Sequence, residues 1–299
     1  MTYGTLHAAL AGVQNGEPCK GKDEALIALG LRALLAAIGA KPFYRQHYIA
    51  KGGTVLRLRS AGRLERLSTD LDLSGLELGN STAEDHRAFA AEIGRSATHV
   101  LRTAYAKGAA EISVQFDEDS LGRVHDESDP DTITYAVTVS AVLAPGKNPT
   151  VARGDAYKID LTCDEYIDTA LIDDLRVESY GIPIDVRVYA PIQSIAEKMR
   201  AILQKRRHFE RKQNSGNWVP RHLFDLVALR KQISEGDLER LPELFRKKCA
   251  CRMLAVDAQT RAWLLDARLL AVAQNKDQPR ADAAWGILHN LIEAAQIPA

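Results

Sequence analysis

The chain has 299 residues, no formal net charge at pH 7, 46% apolar residues and 26% charged residues. These values are ordinary for a globular protein, and the zero net charge gives no argument for nucleic-acid binding. No stretch approaches the run of about 20 apolar residues that a membrane-spanning helix needs. The N-terminus lacks the basic region that precedes the apolar core of a signal peptide. We therefore expect a cytoplasmic protein without membrane association.

Patterns before residue 190 predict a mixed α/β domain, residues 1–190. Helices are predicted where apolar residues recur at helical spacing, and strands where β-branched residues alternate with polar ones. The helices are 24–39, 55–60 and 83–107, and the strands are 48–51, 69–74, 111–116, 132–142, 157–163 and 182–188. Acidic or Pro/Gly-rich loops are expected between the strands of the second half of this domain.

The residue pattern changes beyond Pro191: β-branched residues become rare and apolar residues recur at helical spacing. Five helices are predicted, at 192–205, 221–232, 235–248, 257–273 and 282–295. We therefore expect a second, helical domain over residues 191–299, and an exposed loop over residues 210–219. The four cysteines show no zinc-ligand spacing and are interpreted as reduced thiols.

One stretch, residues 51–75, suggests binding of a metal and a phosphate. Gly52-Gly53-Thr54 precedes a short helix, whose free N–H groups can face a phosphate. Asp70 and Asp72 alternate with leucines on a strand, so both carboxylates face one side and the leucines face a core. Two adjacent carboxylates repel each other, and a divalent cation with oxygen ligands relieves that repulsion.

A second strand, residues 157–163, supplies the next candidates. Its alternation sends Lys158 and Asp160 to one face. If this strand lies beside the strand of Asp70 and Asp72, Asp160 completes a cluster of three carboxylates. Such a cluster can hold two Mg²⁺ ions, with Mn²⁺ as a possible substitute, and two ions suit phosphoryl or nucleotidyl transfer. Lys158 would neutralise charge there.

The helical domain contributes a basic run, 198–221, with eight Lys or Arg residues and one Glu. Glu197 or Lys198 would face the site, and Lys198 suits a nucleotide's phosphates. Arg221 and Asp225 share a helix face. The run suits an RNA backbone, and His208 and Trp218 are candidates for base stacking.

Each feature also has a plainer interpretation. A glycine pair is often only a turn, and the aspartates could be solvated strand residues. Arg221 and Asp225 could form an ordinary i,i+4 ion pair, and Glu197, Lys198 and the basic run could be a solvated helix face. The glycines lack the GK[ST] ending of a P-loop, so a Walker-type ATPase is not expected.

The ordered set of motifs resembles the AbiEii/AbiGii family of nucleotidyltransferase toxins, which have a DNA polymerase β-like nucleotidyltransferase domain. The motifs are KGGT at 51–54, DLDL at 70–73, KID at 158–160, IAEK at 195–198 and RHLFDL at 221–226. The resemblance implies a nucleotidyltransferase-type mixed sheet with flanking helices plus a C-terminal helical domain. It also implies a winged-helix antitoxin partner and, as in some members, transfer of nucleotides to the 3′ end of tRNA.

The resemblance further implies roles for individual residues. Asp70, Asp72 and Asp160 would hold the metal, and Lys198 and Asp225 would be needed for activity. The expected nucleotide-binding residues are Gly53, Thr54, Lys158, Lys198 and Arg221. Two alternatives stay open: nucleotidylation of a protein side chain by the same site, or a catalytically idle module that binds RNA or a partner.

Overall fold

The computed structural model describes residues 5–19, 22–60, 68, 70–78, 81–105, 112–126, 129–143, 157–212, 221–274 and 276–299. Proximity of Cα atoms divides the chain into two compact units. The first comprises Met1–Val124, Ile133–Cys163 and Asp173–Val188, and the second comprises His125–Thr132, Asp164–Ile172 and Tyr189–Ala299. The sequence-based division at residue 190 stays a prediction.

A seven-stranded mixed sheet is the central element of the fold. Its strands are β1 (Tyr48–Lys51), β2 (Asp70–Gly75), β3 (Ile112–Asp126), β4 (Asp129–Leu143), β5 (Tyr157–Thr162), β6 (Ile172–Ser179) and β7 (Ile182–Tyr189). Their order is β3-β4-β5-β2-β1-β7-β6. β2 runs antiparallel to β1 and parallel to β5, so it lies inside the sheet with a neighbour on each side. The mixed α/β class predicted from the sequence is confirmed.

Helices of the first unit cover the sheet's apolar side chains. They are α1 (Leu6–Gly16), α2 (Lys22–Gly39), α3 (Pro42–His47), α4 (Gly52–Arg59) and α5 (Ala83–Ala104). α2 packs against α1 and α5. From Ala25 to Ile38 nearly every residue of α2 is buried, as its apolar composition on all sides predicts.

Helices also make up most of the second unit. They are α6 (Pro191–Lys212), α7 (Arg221–Arg230), α8 (Glu235–Leu238), α9 (Leu241–Ala250), α10 (Ala258–Leu264), α11 (Ala267–Gln274) and α12 (Gln278–Ala294). α7 packs against α6 and α12, and α9 packs against α6. None of the helices in the described ranges is long and apolar enough to cross a membrane.

Several sequence-based elements were wrong, among them the predicted helix 257–273, which is α10 and α11. β3 and β4 extend into the acidic stretch that we predicted to be a loop, because a strand edge tolerates charged side chains while the backbone pairs. β6 was missed because its only buried residue is Leu175, so it lacks an apolar pattern. The predicted helix 235–248 is two helices, since Pro242 begins a new first turn in α9.

Candidate active site

Asp70 and Asp72 lie on β2 as the alternation predicts. Leu71 and Leu73 are fully buried in the core of the first unit, and the two aspartates are half-buried. Because residues i and i+2 of a strand share a face, the apolar face of β2 fixes both carboxylates on the opposite side. The burial of the leucines therefore orients the aspartates.

β5 lies directly beside β2, which was the condition for a three-carboxylate cluster. In the parallel register Asp72 is paired with Asp160, and Asp70 is paired with Lys158. Asp160 is half-buried, Lys158 is exposed, and Ile159 between them is buried. Two strands thus bring three aspartates and one lysine to the same part of the sheet.

The glycine pair begins α4 rather than preceding it, so the predicted start of this helix, at residue 55, was three residues late. Gly52 has a φ of +76°, a conformation that strongly favours glycine. A Cβ atom at Gly52 would lie 1.8 Å from Oδ2 of Asp72. Glycine at this position therefore allows the Asp72 carboxylate to approach the first turn of α4.

Thr54 joins the same helix to the aspartate strand. Its hydroxyl donates a hydrogen bond of 2.8 Å to the backbone carbonyl of Asp70, and the residue is 4% exposed. Gly53 beside it is also buried. The described contact of the Thr54 hydroxyl is thus structural, whereas phosphate binding by Gly53 and Thr54 stays a prediction.

Ion pairs hold the other end of α4. Arg57 is 2% exposed and its Nε lies 3.0 Å from Oε2 of the buried Glu17, which also pairs with Arg32. Arg59 donates to Asp173 at 2.6 Å. These arginines fix the helix against the rest of the first unit.

The two aspartates of β2 influence the ionisation of Asp160. Burial, followed by the charges of Asp72 and Asp70, raises the pKa of Asp160 to about 6, against the opposing effect of Lys158 and Lys51. This is the behaviour of a carboxyl group in a partly dry site beside like charges. A bound cation would favour the ionised form of all three.

The donor set fits a hard divalent cation, because carboxylate oxygens are the ligands that Mg²⁺ prefers. The close approach of the Asp72 carboxylate to Gly52, called here the Gly52 cradle, places this carboxylate against the N-terminus of α4. Phosphate oxygens are also favoured at a helix N-terminus. Within the described ranges, however, no group of three or more His, Cys, Asp or Glu side chains converges into a ready-made metal site. The residues thus fit a metal by type and strand position, without a closed ligand set.

Lys51 is a residue of this site that the sequence analysis did not single out. It ends β1, pairs in register with Asp72 across the antiparallel ladder, and is only 8% exposed. Its charge also acts on Asp160. The signal was present in the sequence, since Lys51 is the one charged residue of the strand YIAK and directly precedes the glycines.

In the second unit, Lys198 on α6 and Asp225 on α7 form a buried ion pair. Lys198 Nζ lies 2.9 Å from Asp225 Oδ2, and their side chains are 11% and 2% exposed. Sequence spacing suggested Arg221 as the partner of Asp225, but the contact between α6 and α7 supplies Lys198. Arg221 is half-buried at the start of α7.

Glu197 and part of the basic run are occupied by contacts within the second unit. Glu197 accepts from Arg200 at 2.7 Å and pairs with the buried Lys248 at 3.3 Å. Arg206 pairs with Asp266 at 2.5 Å, and Arg207 donates to the Met253 carbonyl at 3.0 Å. These contacts weaken the interpretation of the whole run as a free basic face.

The side chains of His208 and Trp218, and most of the predicted loop 210–219, lie outside the described residues.

The chain matches a known protein family over most of its length. The model of the family described as "Nucleotidyl transferase AbiEii toxin, Type IV TA system" matches residues 33–285, most of the chain. The chain therefore belongs to the AbiEii family of nucleotidyltransferase toxins, and the sequence-based identification is confirmed. Its substrate is accordingly an NTP and its partner an antitoxin.

Similar solved structures include MenT4, a nucleotidyltransferase toxin from Mycobacterium tuberculosis H37Rv. The identity is 16%, the alignment covers 95% of this chain and 99% of that chain, and the TM-score is 0.39. No curated protein matches the chain.

Proposed function

We propose that this toxin transfers NMP from an NTP to the 3′ hydroxyl of a tRNA, in a reaction that depends on Mg²⁺. The observation that carries the proposal is the register of β2 and β5, which pairs Asp72 with Asp160, together with the Gly52 cradle at the Asp72 carboxylate. Carboxylates on neighbouring strands beside a glycine-opened helix suit a nucleotide with its metal.

Asp70, Asp72 and Asp160 are the proposed metal ligands, for two Mg²⁺ ions or for Mn²⁺ in their place. When bound, the metal supplies charge stabilisation for the phosphates and the departing pyrophosphate. Gly53 and Thr54 would contribute backbone N–H groups to the phosphates, since the Thr54 hydroxyl already donates to Asp70. Lys158, which is exposed on β5, and Arg221 would add positive charge.

Lys198 is the proposed phosphate-binding cation of the second unit, and Asp225 is the residue that positions it. A lysine ammonium has three donors, and the 2.9 Å contact with Asp225 occupies one of them. Because Asp225 is buried, its carboxylate holds the ammonium in one place. The remaining donors suit a triphosphate.

The transfer step balances as an in-line displacement. The 3′ oxygen of the acceptor forms a bond to the α-phosphorus of the NTP. The bond from that phosphorus to the oxygen that bridges the α- and β-phosphates breaks, and pyrophosphate leaves. Asp160 is the proposed acceptor of the hydroxyl proton. The cognate antitoxin is proposed to be a winged-helix protein. Because the proposed partners are tRNA, an NTP and this antitoxin, the expected location is the cytoplasm.

Labelling tests the reaction. The purified protein is incubated with each α-³²P NTP, Mg²⁺ and total RNA, and the products are separated by gel. We expect label in the tRNA band, and no label when the RNA is first oxidised with periodate, which destroys the 3′ hydroxyl. Asp72→Asn should abolish the label, whereas Asp282→Asn, an exposed aspartate on α12, should not.

The other possible outcomes of this experiment distinguish the alternative functions. Label on protein instead of RNA replaces the tRNA acceptor by a protein side chain. Absence of label from every macromolecule, with all four NTPs, contradicts the proposed activity and favours a binding module. In cells, expression without the antitoxin should slow growth, and Asp72→Ala should relieve that effect.

A further inference from the structure

Lys51 combines two properties that rarely occur together: a cationic side chain and near-complete burial. It is 8% exposed at the end of β1. Lysines are almost never buried without a partner, because removing an ammonium from water is costly. Lys51 does engage in polar or electrostatic contacts. Its neighbours on the sheet therefore matter.

Those neighbours are the carboxylates of the candidate site. Lys51 and Asp72 are directly paired in the antiparallel register, and directly opposed residues of such a ladder project to the same face. Asp160 follows on the next strand, paired with Asp72. β1, β2 and β5 thus present lysine, aspartate and aspartate side by side.

A second lysine provides a contrast. Lys158 is paired with Asp70 on the other side of β2 but is exposed to solvent. Solvent screens its interaction with the aspartates, whereas burial strengthens that of Lys51. The two lysines flank the same aspartate strand, which makes Lys158 a matched control.

We propose that Lys51 is a resident countercation, a positioning residue that neutralises the Asp72 and Asp160 carboxylates when no divalent cation is bound. It then competes with the divalent cation for the same carboxylates. This inference rests on the proposed function in so far as those aspartates bind a metal. It has two consequences: Lys51 stabilises the metal-free fold, and it weakens metal binding.

The experiment measures metal binding and stability without any nucleotide. Wild type, Lys51→Met, Lys51→Arg and Lys158→Met are unfolded thermally in EDTA and then in increasing MgCl₂, and Mn²⁺ binding is followed by loss of the free Mn²⁺ resonance signal. Methionine keeps the length of lysine and removes its charge. A structural lysine would change Tm without changing the affinity for metal.

Lys51→Met should have a lower Tm in EDTA, a larger rise in Tm on adding Mg²⁺, and a metal affinity higher on the order of tenfold, since a neighbouring charge commonly changes such an equilibrium by this factor or more. Lys51→Arg should resemble wild type, and Lys158→Met should change less than Lys51→Met. An unchanged metal affinity in Lys51→Met overturns the competition.

Asp72→Asn in the Lys51→Met background tests the neutralising role without metal. If the two charges stabilise each other, the double variant loses less Tm than the sum of the single variants. Should Lys51→Met fail to fold in EDTA, recovery of folding by added Mg²⁺ or by Asp72→Asn supports the role, and failure of both overturns it.

Failure of the proposed function would look different. If wild type binds neither Mg²⁺ nor Mn²⁺ while the coupling between Lys51 and Asp72 persists, the metal site and the competition are wrong and Lys51 is only a structural partner. If metal binds equally well to all variants, the metal site stands and the inference about Lys51 fails.

Discussion

The aspartates in two regions of this toxin differ in how well nearby cationic side chains neutralise their charge. On the sheet, Asp70, Asp72 and Asp160 lie on the neighbouring strands β2 and β5, and burial together with the charges of Asp72 and Asp70 raises the pKa of Asp160 to about 6. In the helical unit, Asp225 is almost completely buried but has the ammonium of Lys198 at 2.9 Å. We expect the first region to gain stability from a bound cation, whereas the second already contains one. This difference in charge balance is the basis for proposing a metal site in the first region and a positioning role for Asp225 in the second.

The largest expected effect on stability comes from removing one partner of the buried ion pair between Lys198 and Asp225. Asp225→Ala leaves the Lys198 ammonium without that carboxylate, and the loss of one partner of a buried pair costs about 3–5 kcal/mol of unfolding free energy. Urea denaturation measures this loss. The exposed pair of Lys247 with Glu243 is the control, since Glu243→Ala should cost less than about 1 kcal/mol.

The double variant Lys198→Met, Asp225→Leu separates folding from function. Removing both charges should restore much of the stability, because apolar replacement of a buried pair is often neutral. Transfer of label to tRNA should nevertheless stay absent. A folded double variant with wild-type transfer activity would show that the pair serves the fold alone.

A smaller effect is expected from Gly52→Ala. The new methyl group meets the Asp72 carboxylate, and φ is +76°, so the variant should lose about 1–3 kcal/mol of stability and the carboxylate must move. We expect transfer activity to fall by about a hundredfold, the cost of misplacing a reacting group.

Gly286→Ala is the matched control for that variant. Gly286 lies in α12, and its added Cβ meets no atom within 4 Å. Since alanine is the better helix former, this variant should be about 1 kcal/mol more stable and fully active. Equal activity of both alanine variants would contradict the importance of the Gly52 cradle.

The smallest predicted effects are two opposite dependences of stability on pH. Because the pKa of Asp160 is raised from about 4 in the unfolded chain to about 6, its contribution to stability is present at acid pH and lost as pH rises through this window. Burial lowers the pKa of His86, so its contribution is present at neutral pH and lost as pH falls below about 6.5.

Thermal unfolding between pH 4 and 8 in EDTA resolves the two groups. Asp160→Asn should flatten the decline of Tm with rising pH, and His86→Phe should flatten the decline with falling pH. Each change should amount to a few degrees, since roughly 1 kcal/mol corresponds to a shift of about 2–4 °C in a large domain. A decline of unchanged slope in either variant would refute its assignment.

Sequence patterns predicted the aspartates of β2 well, because alternation with leucines is a local property and the apolar face decides which way the carboxylates point. The register that pairs Asp72 with Asp160 is not local. Strand pairing is set by the packing of the whole sheet, and a shift of one residue would have turned Asp160 away.

The partner of Asp225 illustrates the same limit. Helical spacing offers Arg221 four residues earlier, whereas the observed partner, Lys198, lies on another helix. Lys51 was missed because a single lysine before a glycine pair has no periodicity of its own. Its burial and its position opposite Asp72 become visible only in the folded sheet.

The most direct test of the central claim is metal substitution at Asp72. Asp72→Cys replaces a hard carboxylate by a thiolate, which binds Mg²⁺ poorly and softer cations such as Cd²⁺ well. If Asp72 holds the metal used in nucleotide transfer, Asp72→Cys should transfer no label to tRNA in Mg²⁺ and should regain activity when Cd²⁺ or Mn²⁺ is added. Wild-type activity of Asp72→Cys in Mg²⁺ alone would contradict the account.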